Sequence, residues 1–177
     1  YHAYDEKVKD KPLYLLNNKN SQYGFEFSDK TGKTFNTKDL VFSPTVQGNT
    51  ITLTSQVSTA TIQFIYTLKD KYTLDFNVRT KGLGSVATGD KATFKWDYKA
   101  LEQEKGRAQE QTHTEFVYAF DNYKGFDYDG RSEMSEEDET LNWIGVKQQF
   151  FASVLETKSG LTSSKGYQDM FDEGEYL

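Results

Sequence analysis

Apolar and polar residues alternate over much of this chain, most clearly between residues 60 and 80. Ile62, Phe64, Tyr66 and Leu68 alternate with Gln63, Ile65, Thr67 and Lys69. After Asp70, Tyr72, Leu74, Phe76 and Val78 alternate with Thr73, Asp75, Asn77 and Arg79. A strand sends successive side chains to opposite faces, so each apolar set lies on one face. With Lys69-Asp70-Lys71 as the loop, Leu68 faces Tyr72 and the two strands make a hairpin with one half-buried face. A lone hairpin is marginal in water, so that face requires a second layer opposite it.

The same period recurs elsewhere. Residues 1–12 are charged and end at Lys11-Pro12, an extended entry, and Leu13–Leu16 is a short apolar run. Tyr23, Phe25 and Phe27 share a strand face, and Asp29-Lys30-Thr31-Gly32 is a turn before a strand at Thr34–Asn36. Short strands are expected at Leu40–Phe42 and Thr50–Val57, divided by Pro44 and Gly48-Asn49. Residues 81–91 read as a flexible connection. Phe94, Trp96 and Tyr98 form one further row and Phe116, Tyr118 and Phe120 another, so 92–99 and 116–120 are expected to pair as a long hairpin. Between them Leu101–Thr112 is polar on every side, either an exposed helix or a long excursion. Asp121–Thr140 reads as an acidic loop, and the last twenty-two residues as peripheral. Short strands at spacings near ten residues suggest a sandwich, so the expected fold class is all-β and mostly antiparallel.

Composition narrows the function classes. The apolar fraction is only 36%, but 12 Tyr, 13 Phe and 2 Trp supply large buried areas per residue. A net charge of −6 argues against nucleic acid as partner, because phosphate binding wants a basic stripe. The lack of cysteine removes disulfides, thiolate metal sites and a cysteine nucleophile. No run approaches the roughly 18–20 apolar residues of a membrane span. The chain starts at Tyr1 without an initiator Met, and reads as an excised piece of a longer protein.

Leu141–Leu155 is the second most apolar stretch and is ambiguous locally. A helical wheel gathers Leu141, Ile144, Phe151, Val154 and Leu155 but strands Trp143, Val146 and Phe150 elsewhere, and Gly145 costs a helix about 1 kcal/mol. Two strands kinked near Lys147–Gln149 fit better, with Phe150, Ala152 and Val154 opposing Phe151, Ser153 and Leu155.

Trp143–Leu155, reading Trp-Ile-Gly-Val-Lys-Gln-Gln-Phe-Phe-Ala-Ser-Val-Leu, resembles a stretch near the end of the large periplasmic domain of YidC membrane protein insertases, as seen in the Bacteroidetes branch. The order of parts agrees: a Pro-Leu-Tyr entry at Pro12–Tyr14, a turn at Gly32, a hairpin ending Asp75-Phe76-Asn77-Val78-Arg79, a polar excursion and an acidic loop. The resemblance implies a β-supersandwich of galactose-mutarotase-like fold with at most one or two short helices. It implies a single periplasmic domain over 1–177, lacking the first and last strands of the family domain. The implied parent inserts and helps fold inner-membrane proteins of a Gram-negative bacterium, acting as a chaperone for nascent membrane proteins with the Sec translocon and SecDF as partners. The signature it marks is Trp143, Gln148, Gln149, Phe150, Phe151 and Leu155, residues of packing first and partner contact second. Neither catalysis nor a cofactor is implied.

Other chemistry-bearing candidates are weaker. On an extended segment His113 and Glu115 would share a face as an acid–base pair, but the surroundings are polar, and they read better as surface residues; His2 sits in the entry. Asp127, Asp129, Gly130 and Glu136 match four positions of a calcium loop, yet Gly125 stands where a carboxylate is required and Ser132 where an apolar residue is usual. A solvated acidic loop is favoured there, one that Asp138 and Glu139 extend into a soft docking surface. Gly82-Leu83-Gly84 with Gly89 lacks the Lys-Ser/Thr ending of a phosphate loop and reads as a turn. The aromatic rows would suit a carbohydrate platform if exposed, so the alternative function is a carbohydrate-binding or mutarotase-like sandwich; core packing is the commoner use of such rows.

Overall fold

The computed structural model describes residues 13–129, 134–137 and 139–177, and the extended entry expected over 1–12 lies outside them. The fold is mostly antiparallel strand, with only about 8% helix. The chain divides into two compact units, one holding Tyr23–Trp96 and the other holding the segments before and after it.

In the Tyr23–Trp96 unit β1 (Ser21–Asp29) turns into β2 (Thr34–Asn36). Asp29 makes that turn: its carboxylate accepts from the Thr31 hydroxyl at 2.6 Å and from the Thr31 and Lys33 amides at 2.8 and 2.9 Å. A 3₁₀ turn at Thr37–Asp39 leads to β3 (Ser43–Gln47), β4 (Thr50–Val57), β5 (Ala60–Leu68), β6 (Leu74–Lys81), a second 3₁₀ turn at Leu83–Ser85, and β7 (Ala87–Tyr98). Two sheets result, in the orders β2-β1-β7 and β3-β4-β5-β6. The rows predicted from the sequence meet between them. Phe25 lies 6.0 Å from Phe64 and 6.4 Å from Phe76, and Tyr23 lies 5.4 Å from Phe76. Phe94 of β7 closes the cluster at 5.3 Å from Phe25. Burial raises the pKa of the Tyr23 hydroxyl and pushes that of Tyr66 well above the usual tyrosine value.

The central hairpin forms, with a different loop from the one expected. Leu68 pairs with Leu74, so the loop is five residues, and Tyr72 leaves the apolar row for solvent. Asp70 decides this, its side chain accepting from the amides of Tyr72 at 2.7 Å and Thr73 at 2.8 Å. The strand expected at Leu40–Phe42 is displaced to Ser43–Gln47. β3 tolerates Pro44 because it is an edge strand, and Phe42 instead stacks on Phe64 at 5.1 Å. Nor are residues 81–91 a loose connection: Gly82 sits at φ +70, where a Cβ would lie 3.1 Å from the Thr59 carbonyl, so the turn hugs the sheet.

In the second unit α1 (Arg107–Thr112) precedes β8 (Glu115–Phe120), β9 (Gly125–Asp129), β10 (Met134–Glu137), β11 (Leu141–Lys147), β12 (Ala152–Leu161) and β13 (Ser164–Tyr167). Four of these strands form a sheet in the order β12-β11-β8-β9, and β10 pairs with β13. β7 pairs with β1 and β8 with β11 and β9, so the long hairpin expected between 92–99 and 116–120 is not made. Asp121–Thr140 is not one loop either, since it contains β9 and β10. Leu141–Leu155 is two strands, as the sequence favoured, joined by a turn in which the Gln148 amide donates to the Phe151 carbonyl at 2.7 Å.

Candidate functional site

The segment from Lys99 to Thr112 is where the second unit is tied together. Asn20, fully buried, donates from its side chain to the carbonyls of Leu15 at 3.0 Å and Lys99 at 2.9 Å. The chain end crosses the same segment: Leu177 donates to the Ala100 carbonyl at 2.9 Å, and Glu102 donates to the Glu175 carbonyl at 2.9 Å. The last residues are therefore not peripheral. Arg107 explains much of this. Its guanidinium pairs with Glu102 at 2.6 Å and donates to the carbonyls of Gly174 at 3.0 Å, Phe171 at 2.6 Å and Tyr176. The planar fork of donors suits a cluster of carbonyls converging from one irregular segment. Lys99 adds an ammonium above the rings of Phe171 and Tyr176, 5.6 and 5.4 Å from their centroids.

Glu110, on α1, is 1% exposed. Its carboxyl accepts from the amides of Gln103 at 2.9 Å and Glu104 at 3.0 Å, and Gln148 donates to it at 3.4 Å. Gln148, 4% exposed, also donates to the Leu101 carbonyl at 2.9 Å. The excursion thus docks through polar groups, because its sequence provides no apolar stripe with which to dock.

The sequence signature divides between two faces of the β12-β11-β8-β9 sheet and the turn. Phe116, Tyr118 and Phe120 line the inner face with Leu155, and Ser153 bonds the Tyr98 hydroxyl there at 3.1 Å. Trp143 lies on the outer face, half-buried, its ring 5.8 Å from Phe126. Within the turn Gln148 points inward and Gln149 and Phe151 are half-buried, while Phe150 is 65% exposed. No short-range signal marks Asn20, Arg107 or Glu110 as buried or partnered. The one clue is Gln148, an amide inside an apolar run.

On the outer face one row across the strands is Phe126, Ala119, Trp143 and Glu156, and the next is Tyr128, Val117, Gly145 and Val154. Phe126 and Tyr128 on β9 are 59% and 57% exposed. The turn before β9 places Asp121, Asn122 and Tyr123 consecutively at positive φ, a strained left-handed stretch. Tyr123 is held there by its amide, which donates to Asn142 at 3.0 Å, and by its hydroxyl, which donates to Glu156. That second bond raises the Tyr123 pKa, since a tyrosinate would face a carboxylate.

The remaining candidates do not assemble. His113 ends α1, its Nδ1 lying 2.9 Å from the Gln109 carbonyl, while Glu115 pairs with Lys147 at 2.6 Å; no acid–base pair forms. Asp127 and Asp129 sit on a strand instead of a metal loop, and Gly130 lies outside the described residues. Phe94, Trp96 and Tyr98 are half-buried and Tyr118 is buried, as core rows rather than an open platform.

Comparison with known proteins gives consistent matches. The family model for the YidC periplasmic domain matches residues 1–175. The membrane protein insertase YidC of Parabacteroides distasonis is 28% identical over 97% of this chain, which spans 28% of that protein. Those of Phocaeicola vulgatus and Bacteroides fragilis are 34% and 31% identical, each over 82% of the chain and 24% of the relative. The chain thus spans about a quarter of the curated relatives it matches. No solved structure matches it.

Proposed function

Because the chain belongs to the YidC periplasmic domain family, we propose that it serves as the periplasmic domain of an inner-membrane insertase, docking partners while other parts of that protein do the inserting. The match over residues 1–175 carries this reading. It takes residues 1–177 as one functional domain of galactose-mutarotase-like topology, non-catalytic, with nascent membrane proteins, the Sec translocon and SecDF as the partners. No helix of the described residues is long and apolar enough to cross a membrane.

Within this reading Gln148, Phe151 and Leu155 are fastening residues, Trp143 supports the outer sheet face, and Gln149 and Phe150 lie at the rim of the turn. The support is positional: Gln148 is buried against Leu101 and Glu110, whereas Phe150 is the exposed member of the turn. The test is made in the parent gene. Removing the coding segment for this domain is expected to slow insertion of a newly made inner-membrane protein, read as its protection from external protease. A photocrosslinker replacing Phe150 is expected to capture a Sec component or a nascent chain. Normal insertion together with no such crosslink would overturn the reading.

A further inference from the structure

β9 is a free sheet edge of unusual composition. Among the described residues no strand pairs with its second side. Edge strands are ordinarily blunted by proline, lysine or other charges that discourage pairing with a second chain. The remaining long edges carry proline or a basic residue: β3 has Pro44, β6 has Arg79 and Lys81, β7 has Lys91 and Lys95, and β12 has Lys158. β9 reads Gly-Phe-Asp-Tyr-Asp, with no proline and no basic residue, and exposes two aromatic rings; its only charges are acidic, which discourage an acidic partner strand but not a basic one. Its rings lie on the outer face and Asp127 on the opposite one. The charge of the sequence that contains it is equally uneven. Residues 121–140 contain eight acidic and two basic side chains, a net of −6, so the rest of the chain is neutral.

We propose that β9 is a docking edge for an extended, basic segment of a partner protein, which adds to the sheet as a further strand. This rests on the docking function proposed above and specifies its surface. Side chains of paired strands share a face, so the partner presents apolar residues beside Phe126 and Tyr128 and lysine or arginine beside Asp127, in strict alternation. Main-chain hydrogen bonds supply the affinity, the aromatic pair and Asp127 fix the register, and the net negative charge of the 121–140 sequence draws the basic segment in.

The test titrates the 177-residue chain with a short labelled peptide alternating valine with lysine. One control has the same composition with the lysines in one block, and another has glutamate for lysine. The alternating peptide is expected to bind at least about tenfold tighter than either control and to weaken as salt screens the charges. Phe126→Ser and Asp127→Lys are each expected to weaken it at least about tenfold, and Asp127→Asn, a milder change, by less. Hydrogen exchange within Gly125–Asp129 slows on binding. Equal affinity for the block peptide would mean diffuse attraction to the acidic stretch, and would overturn the proposal, as would unchanged binding to Asp127→Lys. In the parent protein, a defect on domain removal without a defect in the Phe126 and Asp127 variants refutes this surface alone. Edge binding with no defect on domain removal refutes the docking function alone.

Discussion

Truncating Glu110 to alanine tests whether the polar anchoring of the excursion is structural in the strong sense. Its two oxygens are the acceptors for the Gln103 and Glu104 amides, and one of them also serves Gln148. With the carboxyl gone, two backbone donors and one amide arm lose their partner. A buried donor left unsatisfied costs about 1–3 kcal/mol. Gln148 keeps the Leu101 carbonyl and so contributes little of this. Against the loss stands relief from keeping a carboxyl group out of water, since buried acidic groups are themselves expensive. Two orphaned amides and a small cavity, less that relief, leave a net loss of about 3 kcal/mol. For a chain of this size that lowers the melting temperature by about 6–12 °C. Glu110→Gln is the sharper variant. Its amide oxygen can take the place of the oxygen that accepts both backbone amides, leaving the NH₂ group opposite Gln148, so the loss is expected to be well below that of alanine and both amides should stay protected. Gln109→Ala, one residue earlier and exposed, is the control and is expected to stay within about 0.5 kcal/mol of the parent. Calorimetry reads the overall shift and hydrogen exchange reads the Gln103 and Glu104 amides. A Glu110→Ala protein as stable as the control, with both amides still protected, would refute the assignment.

Other outcomes follow from the same geometry. Phe64→Ala empties the centre of the ring cluster formed with Phe25, Phe42 and Phe76, and chemical denaturation should show a loss of about 3–5 kcal/mol. Gly160→Ala combines a φ of +76 with a Cβ built 2.2 Å from Thr140 Cγ2, at the irregular pairing of Leu141 with Leu161; a loss of about 2 kcal/mol or more is expected in the same assay. Lys95 beside Glu26, the Thr31 hydroxyl on Asp29 and the Tyr72 amide on Asp70 hold these carboxyl groups below the usual carboxylate range. Depressed folded values mean that their stabilisation is complete above the unfolded pKa and disappears as pH falls through the folded one. Thermal melts should therefore show the Tyr23–Trp96 unit weakening below about pH 4, with a shallower acid slope in Asp70→Asn.

What the sequence made legible is what a period of two can carry. The strands at Tyr23–Phe27, Thr50–Val57, Ile62–Leu68 and Phe116–Phe120 were readable because their larger apolar residues recur at every second position, and strands form there. Turn chemistry was harder: Asp70 accepts two amides and lengthens its loop, overriding an alternation that would have continued through Tyr72. Pairing partners were harder still. The rows of β7 and β8 are equally aromatic, and nothing local says that the chain between them is diverted by Asn20 and Leu177, residues about 80 positions away from Lys99 and Ala100 in sequence. For the candidate site, the resemblance marks Trp143 and Leu155, but nothing local places them on opposite faces of the sheet, which the pairing of β11 with β12 does. Glu110 and Arg107 were invisible, because a charged residue in a polar segment reads as solvated.

The position of Gln148 shows how a β domain accommodates a polar excursion of a dozen residues. Such a segment buries too little apolar surface to hold itself in place, so its order must come from hydrogen bonds, and each of these contributes little unless water is excluded. The turn between β11 and β12 meets both requirements. Gln148 reaches from it to a backbone carbonyl at Leu101 and a carboxyl at Glu110, and both Gln148 and Glu110 are buried. The chain end is tied to the same excursion by Arg107. Each tie spans tens of residues, 47 for Gln148 to Leu101 and 67 for Arg107 to Gly174, so closing them is entropically costly before the sheet exists and cheap afterwards. The polar hub is therefore a consequence of the assembled sheet, and its hydrogen bonds fix where the excursion lies without setting the fold.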